Sequence, residues 1–429
     1  MSAVRRIRVT DVEGFATCME QNEPVVIEGV GGVLQQYFGA WHVDGVPNLA
    51  YLCEAYGDME VPVVECSRGS YGEQKRSSML LREYLHLLEE RGHGDPTHSD
   101  YTHQGGVGGG SEVGSAPPLP YLKDWHFQRL SRRRRRSGGG GDAGFAAPAA
   151  EPFTPALFSD DWLNWWSDRE GLDDYRFVYA GPPGSWTPLH HDVLYSYSWS
   201  CNICGRKWWL LFPPEETPKL HDRRGNELAQ DARPGATDPT RFPDIAGARR
   251  WEVVQEAGEA IFVPSGWHHQ VINLGSGRSG GSGPLPSADL TISVNNNWFN
   301  GYNLKRVHAF LVEELRGARE VISHLRADMA GEGDGWAWER QVEVILRANS
   351  GMSMTQFARL VVAKAHILAG AAAGKDEAAA AAAEASAGHG GAVPARAHRD
   401  GVALQQVLEV LRGLRQHPCR DHIFWEDER

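Results

Sequence analysis

The chain has 429 residues, 41% of them hydrophobic, enough for at least one large buried core and, by length alone, for about two to three domains. Its formal net charge of -12 and pI near 5.8 argue against nucleic acid or an anionic membrane as the default partner. No apolar run reaches bilayer length, MSAVRRIRVTDVEGF lacks the apolar core of a secretory signal, and 6 scattered cysteines fit a reduced compartment, so an intracellular protein is expected, cytoplasmic or alternatively nuclear.

Residues 1–90 mix short apolar runs such as PVVIEGV with a helical pattern in SSMLLREYLHLLEE and read as an α+β part that packs on a barrel. Residues 91–152 shift to Gly, Ser, His and Asp around GGVGGGSEVGS. Within these low-complexity insertions an ordered island is expected at 119–130, LPYLKDWHFQRL. Five consecutive arginines, Arg132 to Arg136, then precede four glycines. Such a block of like charge reads as a solvated loop, with a localisation signal or RNA contact as the alternative.

From 153 to 300 the pattern is that of strands. YRFVYAG, WTPLHHDVL, SYSWSCNI, RKWWLLFPP, WEVVQEA, EAIFVP, HHQVINL and LTISVNNNWF are rich in β-branched and aromatic residues and have no long helix between them. They predict an all-β core, an antiparallel barrel or jelly roll, with loops expanded at about 217–249 and 275–288. Residues 301–429 are expected to be helical. Leu304, Val307, Leu311, Leu315, Ala318, Ile322 and Leu325 form an amphipathic stripe, and Ser353 with Gln356 makes a capping-box pattern. An alanine-rich linker at 370–398 precedes a last helix at VALQQVLEVLRGL. These stripes are expected to serve as core or homodimer contacts.

The stretch TPLHHDVL sets two histidines and an aspartate side by side. On a strand alternate residues share a face, so His190 and Asp192 point one way and His191 the other. One further histidine from across the barrel would complete a two-histidine, one-carboxylate triad, which leaves one face of an octahedral Fe(II) open to a cosubstrate and O2. IFVPSGWHHQVINL offers His268 and His269. Alternation lets only one of them face inward and does not choose between them. Cys201 and Cys204 form a CxxC, but three residues apart on a strand they are expected on opposite faces, with no second pair to complete a zinc site. Trp165-Trp166 and Trp208-Trp209 read as core packing.

The stretches WTPLHHDVLYSYSWSCNICGRKWWLLFPP, AGEAIFVPSGWHHQV and TISVNNNW together resemble the jumonji-C family of Fe(II)- and 2-oxoglutarate-dependent oxygenases. The resemblance covers most of residues 20–310 apart from the biased insertions. It implies a cupin-like double-stranded β-helix, or jelly roll, with flanking α-helices. It also implies His190, Asp192 and His269 as iron ligands, with His268 turned away. Lys207, seventeen residues after His190, matches the lysine that pairs with the distal carboxylate of 2-oxoglutarate, Thr187 a hydroxyl donor to the same carboxylate, and Asn295 and Asn297 positions lining that pocket. The implied cofactors are Fe(II), 2-oxoglutarate as cosubstrate, and O2, with oxidative decarboxylation coupled to hydroxylation of a C–H bond.

SYSWS, NICGRKWW and NNNWFNGYN, with PVVIEGV and YLKDWH, are similar to a subgroup regarded as protein lysyl hydroxylases of the eukaryotic peptide-chain release factor. The resemblance thus implies a lysine in a translation-termination factor as substrate. Demethylation of an N-methylated lysine or arginine is the alternative within the same chemistry. A non-catalytic cupin-like binding module is the alternative outside it.

Overall fold

The computed structural model describes residues 2–66, 74–92, 118–136, 153–276, 289–329, 336–383 and 393–416. Most of the biased stretches anticipated between 91 and 152, the Gly/Ser part of the 275–288 loop and residues 384–392 of the alanine-rich linker lie outside the described residues.

The N-terminal part supplies β1 (Ser2–Ala3), β2 (Arg5–Arg8), β3 (Val25–Glu28), β4 (His42–Val43), β5 (Val46–Pro47), β6 (Glu60–Cys66), β7 (Arg76–Leu80) and β8 (Leu119–Trp125). Each of the eight runs between 153 and 300 is a strand: β9 (Arg176–Gly181), β10 (Trp186–His190), β11 (Tyr197–Cys204), β12 (Arg206–Phe212), β13 (Trp251–Gln255), β14 (Ala260–Val263), β15 (His268–Gly275) and β16 (Thr291–Trp298). One sheet has the order β1-β13-β12-β15-β10 and the other β2-β3-β14-β11-β16-β9-β8-β6-β7. The pairings among β9 to β16 are antiparallel, the arrangement of a cupin-like jelly roll.

Alternation sorts the side chains of these strands. Val294, Ile292 and Trp298 of β16, with Tyr197 and Trp199 of β11, join one core with Phe15 of α1 (Val12–Gln21) and with Leu34 and Phe38 of α2 (Val30–Phe38). The intervening residues of β16, Ser293, Asn295 and Asn297, are polar and face the other way, between the sheets. There Trp209, Leu211, Ile261, Val263 and Val271 form a separate apolar cluster. A register shift between Asn202 and Cys204 overturns the expectation for the CxxC: Cys201 and Cys204 both enter the first core.

After α3 (Leu49–Tyr56) and α4 (Leu81–Gly92), the arginine run departs from expectation. It ends α5 (Phe127–Arg136), and Arg132 and Arg134 pair with Asp168 and Asp58 at 3.4 and 2.9 Å. Arginine is a good helix former, and neighbouring carboxylates offset the like-charge repulsion that suggested a loop. The β12–β13 connection carries its own small core, with Leu220, Phe242 and Ile245 packed on Leu189, Leu210 and Phe212.

A helical block completes the fold: α6 (Trp162–Glu170), α7 (Leu304–Val321), α8 (Arg326–Met329), α9 (Ala337–Ser350), α10 (Met354–Ala383) and α11 (Val393–Gln416). Leu304, Val307, Leu311, Leu315, Ala318 and Ile322 are buried as the stripe requires, whereas Leu325 is exposed. The capping box is formed: Ser353 N–H donates to Gln356 Oε1, and Gln356 N–H to Ser353 Oγ, both at 3.1 Å. Among the described residues no helix is long and apolar enough to cross a membrane.

Candidate metal and cosubstrate site

β10 is the edge of its sheet and pairs with β15, with His190 opposite His269 and Thr187 opposite Val271. Three steps on β10 thus match two on β15, which is a β-bulge. Pro188 sits inside it, where a residue without an N–H is tolerated. The bulge solves a problem that simple alternation leaves open: Thr187 and His190, an odd number of residues apart, can both face inward. The ladder ends at His190, and Asp192 just beyond it has an extended backbone (φ -69°, ψ 150°).

His190, Asp192 and His269 offer ligand atoms that all lie within 4.8 Å of one another, close enough for one ion to touch all three. Among the described residues it is the one such group of His, Cys, Asp or Glu side chains. The His190 Nδ1 lies 2.8 Å from the Pro188 carbonyl and the His269 Nδ1 3.2 Å from the Trp267 carbonyl. A carbonyl can only accept, so each Nδ1 carries the proton and each Nε2 keeps its lone pair for the centre. Burial, followed for His190 by the neighbouring His269 and Lys123, holds the His190 imidazole far below its ordinary pKa. Burial lowers His269 as well, against the pull of Asp192. Both rings are therefore neutral ligands at pH 7.

The carboxylate supplies the third donor. Asp192 Oδ2 is buried, has no hydrogen-bond partner and stands 3.9 Å from His269 Nε2. An unpartnered buried acceptor costs about 1–3 kcal/mol, and more when charged, so a cation at this point would satisfy the group. Two imidazole nitrogens and one carboxylate oxygen make a donor set that fits Fe(II). Trp209, read as core packing, stacks on His269 with ring centroids 5.8 Å apart. His191 and His268 face away together, 5.2 Å apart, with Thr217 Oγ1 3.2 Å from His268 Nδ1.

Lys207 on β12 is 2% exposed, and its ammonium donates to Ser293 Oγ at 2.6 Å. Asn295 Nδ2 donates to the same oxygen at 2.9 Å, and the Tyr179 and Trp209 rings flank the ammonium. Burial, and secondarily Lys123, brings the Lys207 pKa down to about 7. Among the described residues no carboxylate stands within ion-pair distance of Lys207, so an anion beside it would neutralise the buried ammonium. Thr187 is buried against the Tyr121 hydroxyl, which also meets Asn273. Asn297 lies apart from Lys207; its amide donates to Ser196 Oγ at 3.2 Å, four residues beyond Asp192.

Two residues of YLKDWH belong to this interior and were not singled out from the sequence. Tyr121 is one. The other is Lys123, whose charge acts on His190, His269 and Lys207. A bulge on β8, where Leu122 opposes Ala180 and Trp125 opposes Val178, includes Asp124 in the left-handed region (φ 62°). Asp124 accepts from the Tyr179 hydroxyl at 2.8 Å, and Lys123 shares the face of Tyr121. Tyr121 and Lys123 are alternate residues of β8, but Asp124 beside them is polar too, so the strand pattern alone does not single them out.

Residues 12–303 match the family described as cupin-like domain. The chain is 39% identical over 316 residues to "2-oxoglutarate and iron-dependent oxygenase JMJD4" of Homo sapiens, covering 73% of this chain and 63% of that protein. It is 36% identical over 319 residues to the protein of the same name from Danio rerio, with the same coverage. It is 32% identical over 355 residues to "Arginine-specific demethylase JMJ20" of Arabidopsis thaliana, covering 79% of this chain and 64% of the relative. The chain therefore spans less than two thirds of the length of these relatives.

Proposed function

Because this chain belongs to the cupin-like domain family, in its jumonji-C branch, we propose that it is an Fe(II)- and 2-oxoglutarate-dependent oxygenase acting on a protein side chain. The observation that carries this reading is the buried, unpartnered Asp192 oxygen beside two histidine Nε2 atoms, with the unpaired Lys207 ammonium in the same interior. Iron and 2-oxoglutarate together supply the oxidising power for attack on an unactivated C–H bond. The chain's part is to bind, orient and exclude water.

His190, Asp192 and His269 would hold the iron. Lys207 would neutralise the distal carboxylate of the cosubstrate, with Thr187 and Asn295 as polar neighbours and Asn297 at the triad end. The Trp209 ring fixes the plane of His269 and removes water from that wall. The Tyr121 hydroxyl, itself in contact with Asn273, keeps the Thr187 hydroxyl in place.

The finer reading is hydroxylation of a lysine in a translation-termination release factor, in the cytoplasm, by a chain that dimerises through its C-terminal helices. Likeness to relatives named as 2-oxoglutarate and iron-dependent oxygenases supports the oxygenase chemistry that this reading needs, and the resemblance carried by SYSWS, NICGRKWW and NNNWFNGYN suggests the substrate. Incubation with iron, 2-oxoglutarate and a release-factor fragment should add one oxygen atom to one lysine. Turnover of cosubstrate with an unchanged fragment mass would reject that substrate. A relative at 32% identity named as an arginine-specific demethylase supports a second reading. Release of formaldehyde from N-methylated arginine peptides would favour it.

A further inference from the structure

The two chain segments that present the triad meet outside the barrel. Asp192 is followed by Leu194 (φ 58°, ψ 16°) and Tyr195 (φ 48°), both in the left-handed conformation. Neither is glycine, and a side chain disfavours that conformation, so two in succession persist only where the surroundings hold them.

The helical block provides the hold. Leu194 is fully buried in its core, with Trp162 and Leu163 of α6 and Leu304, Val307 and Leu311 of α7. The Tyr195 ring lies 4.7 Å from Phe310 of α7 and 4.7 Å from His191. Its carbonyl accepts from Ser265 Oγ, in the turn that delivers His269. Gly266 of that turn is pressed on the same ring: a Cβ there would stand 3.3 Å from it.

We propose that Leu194, Tyr195 and Phe310 are positioning residues, through which the helical block fixes the turn that directs the Asp192 carboxylate at His190 and His269. His190 and His269 stand on paired strands, whereas Asp192 lies past the end of β10, outside the ladder. Loosening the turn therefore removes one donor and leaves two. The inference rests on the metal-centre reading of the triad.

The test is titration of the full-length chain with Co(II), followed by visible absorption, with folding checked by circular dichroism. Phe310 is only partly buried, so Phe310→Ala leaves the helical core in place. Phe310→Ala and Leu194→Ala should each weaken Co(II) binding by about tenfold or more, the usual effect of losing a residue that orients a ligand. Phe310→Leu, which keeps an apolar contact, should stay near wild type. Val342→Ala, a truncation in the same core but on α9, should also stay near wild type. The proposal is overturned if Phe310→Ala and Leu194→Ala bind Co(II) like wild type, or if Val342→Ala loses as much affinity as they do. A wild-type chain that binds no Co(II) overturns the metal-centre reading itself.

Discussion

A lysine ammonium enclosed by Ser293, Tyr179 and Trp209, with no carboxylate beside it among the described residues, destabilises the free chain, and a bound dicarboxylate would relieve that cost. Its pKa of about 7 against an ordinary 10.5 sets the sign. Below pH 7 both states hold the proton and the folded chain bears the full cost. Between about pH 7 and 10.5 the folded chain releases it first, so the cost fades as pH rises. Lys207→Met should therefore make the ligand-free chain more resistant to urea at pH 7, by an advantage that shrinks at pH 9. It should also weaken 2-oxoglutarate binding by roughly ten- to a hundredfold, the worth of one charged hydrogen bond. An advantage equal at both pH values would contradict the titration. At this scale the sequence was partly legible. His190, Asp192 and His269 followed from alternation and family likeness, but the inward turn of Thr187 depends on a bulge that alternation does not foresee. Lys123 escaped notice because its neighbours in the barrel are distant in the chain.

Among elements, α1 reaches the site through its C-terminal cap. Asn22, in the left-handed conformation, donates its amide to the Ser265 carbonyl and accepts from the Ser265 N–H, both at 3.0 Å, while its own carbonyl accepts from the Trp267 indole. Asn22→Gly keeps the backbone conformation and deletes both side-chain bonds. It should cost about 1–3 kcal/mol in urea unfolding, because it leaves buried Ser265 groups unpaired. A change within about 0.5 kcal/mol would show that water replaces the amide. The eight barrel strands and the capping box of α10 were readable, since β-branched and aromatic runs and a Ser/Gln pair are local signals. The α5 arginines were not. Their carboxylate partners Asp58 and Asp168 lie 76 and 36 residues away, so local charge pattern misread a helix as a loop. Nor does any local signal mark Leu194 and Tyr195 as left-handed.

For the whole molecule, the shared core of Trp162, Leu163, Leu194 and Phe299 with α7, α9, α10 and α11 ties the helical block to the jelly roll. The two should melt in one transition, with near- and far-ultraviolet circular dichroism superimposing. A helical signal that survives loss of the aromatic signal would mark the block as independent. The jelly-roll class and a His-Asp-His donor set that fits iron were legible in the sequence, whereas the dependence of the triad on the helices was not, because it runs through packing.

If His190, Asp192 and His269 bind Fe(II) in a pocket that also takes 2-oxoglutarate, then iron and cosubstrate added together without oxygen should develop a weak visible charge-transfer band. The wild type should show this band of an iron–2-oxoglutarate complex, and Asp192→Ala should show none. A wild type without the band, or an Asp192→Ala variant with the same band at the same concentrations, would contradict that assignment.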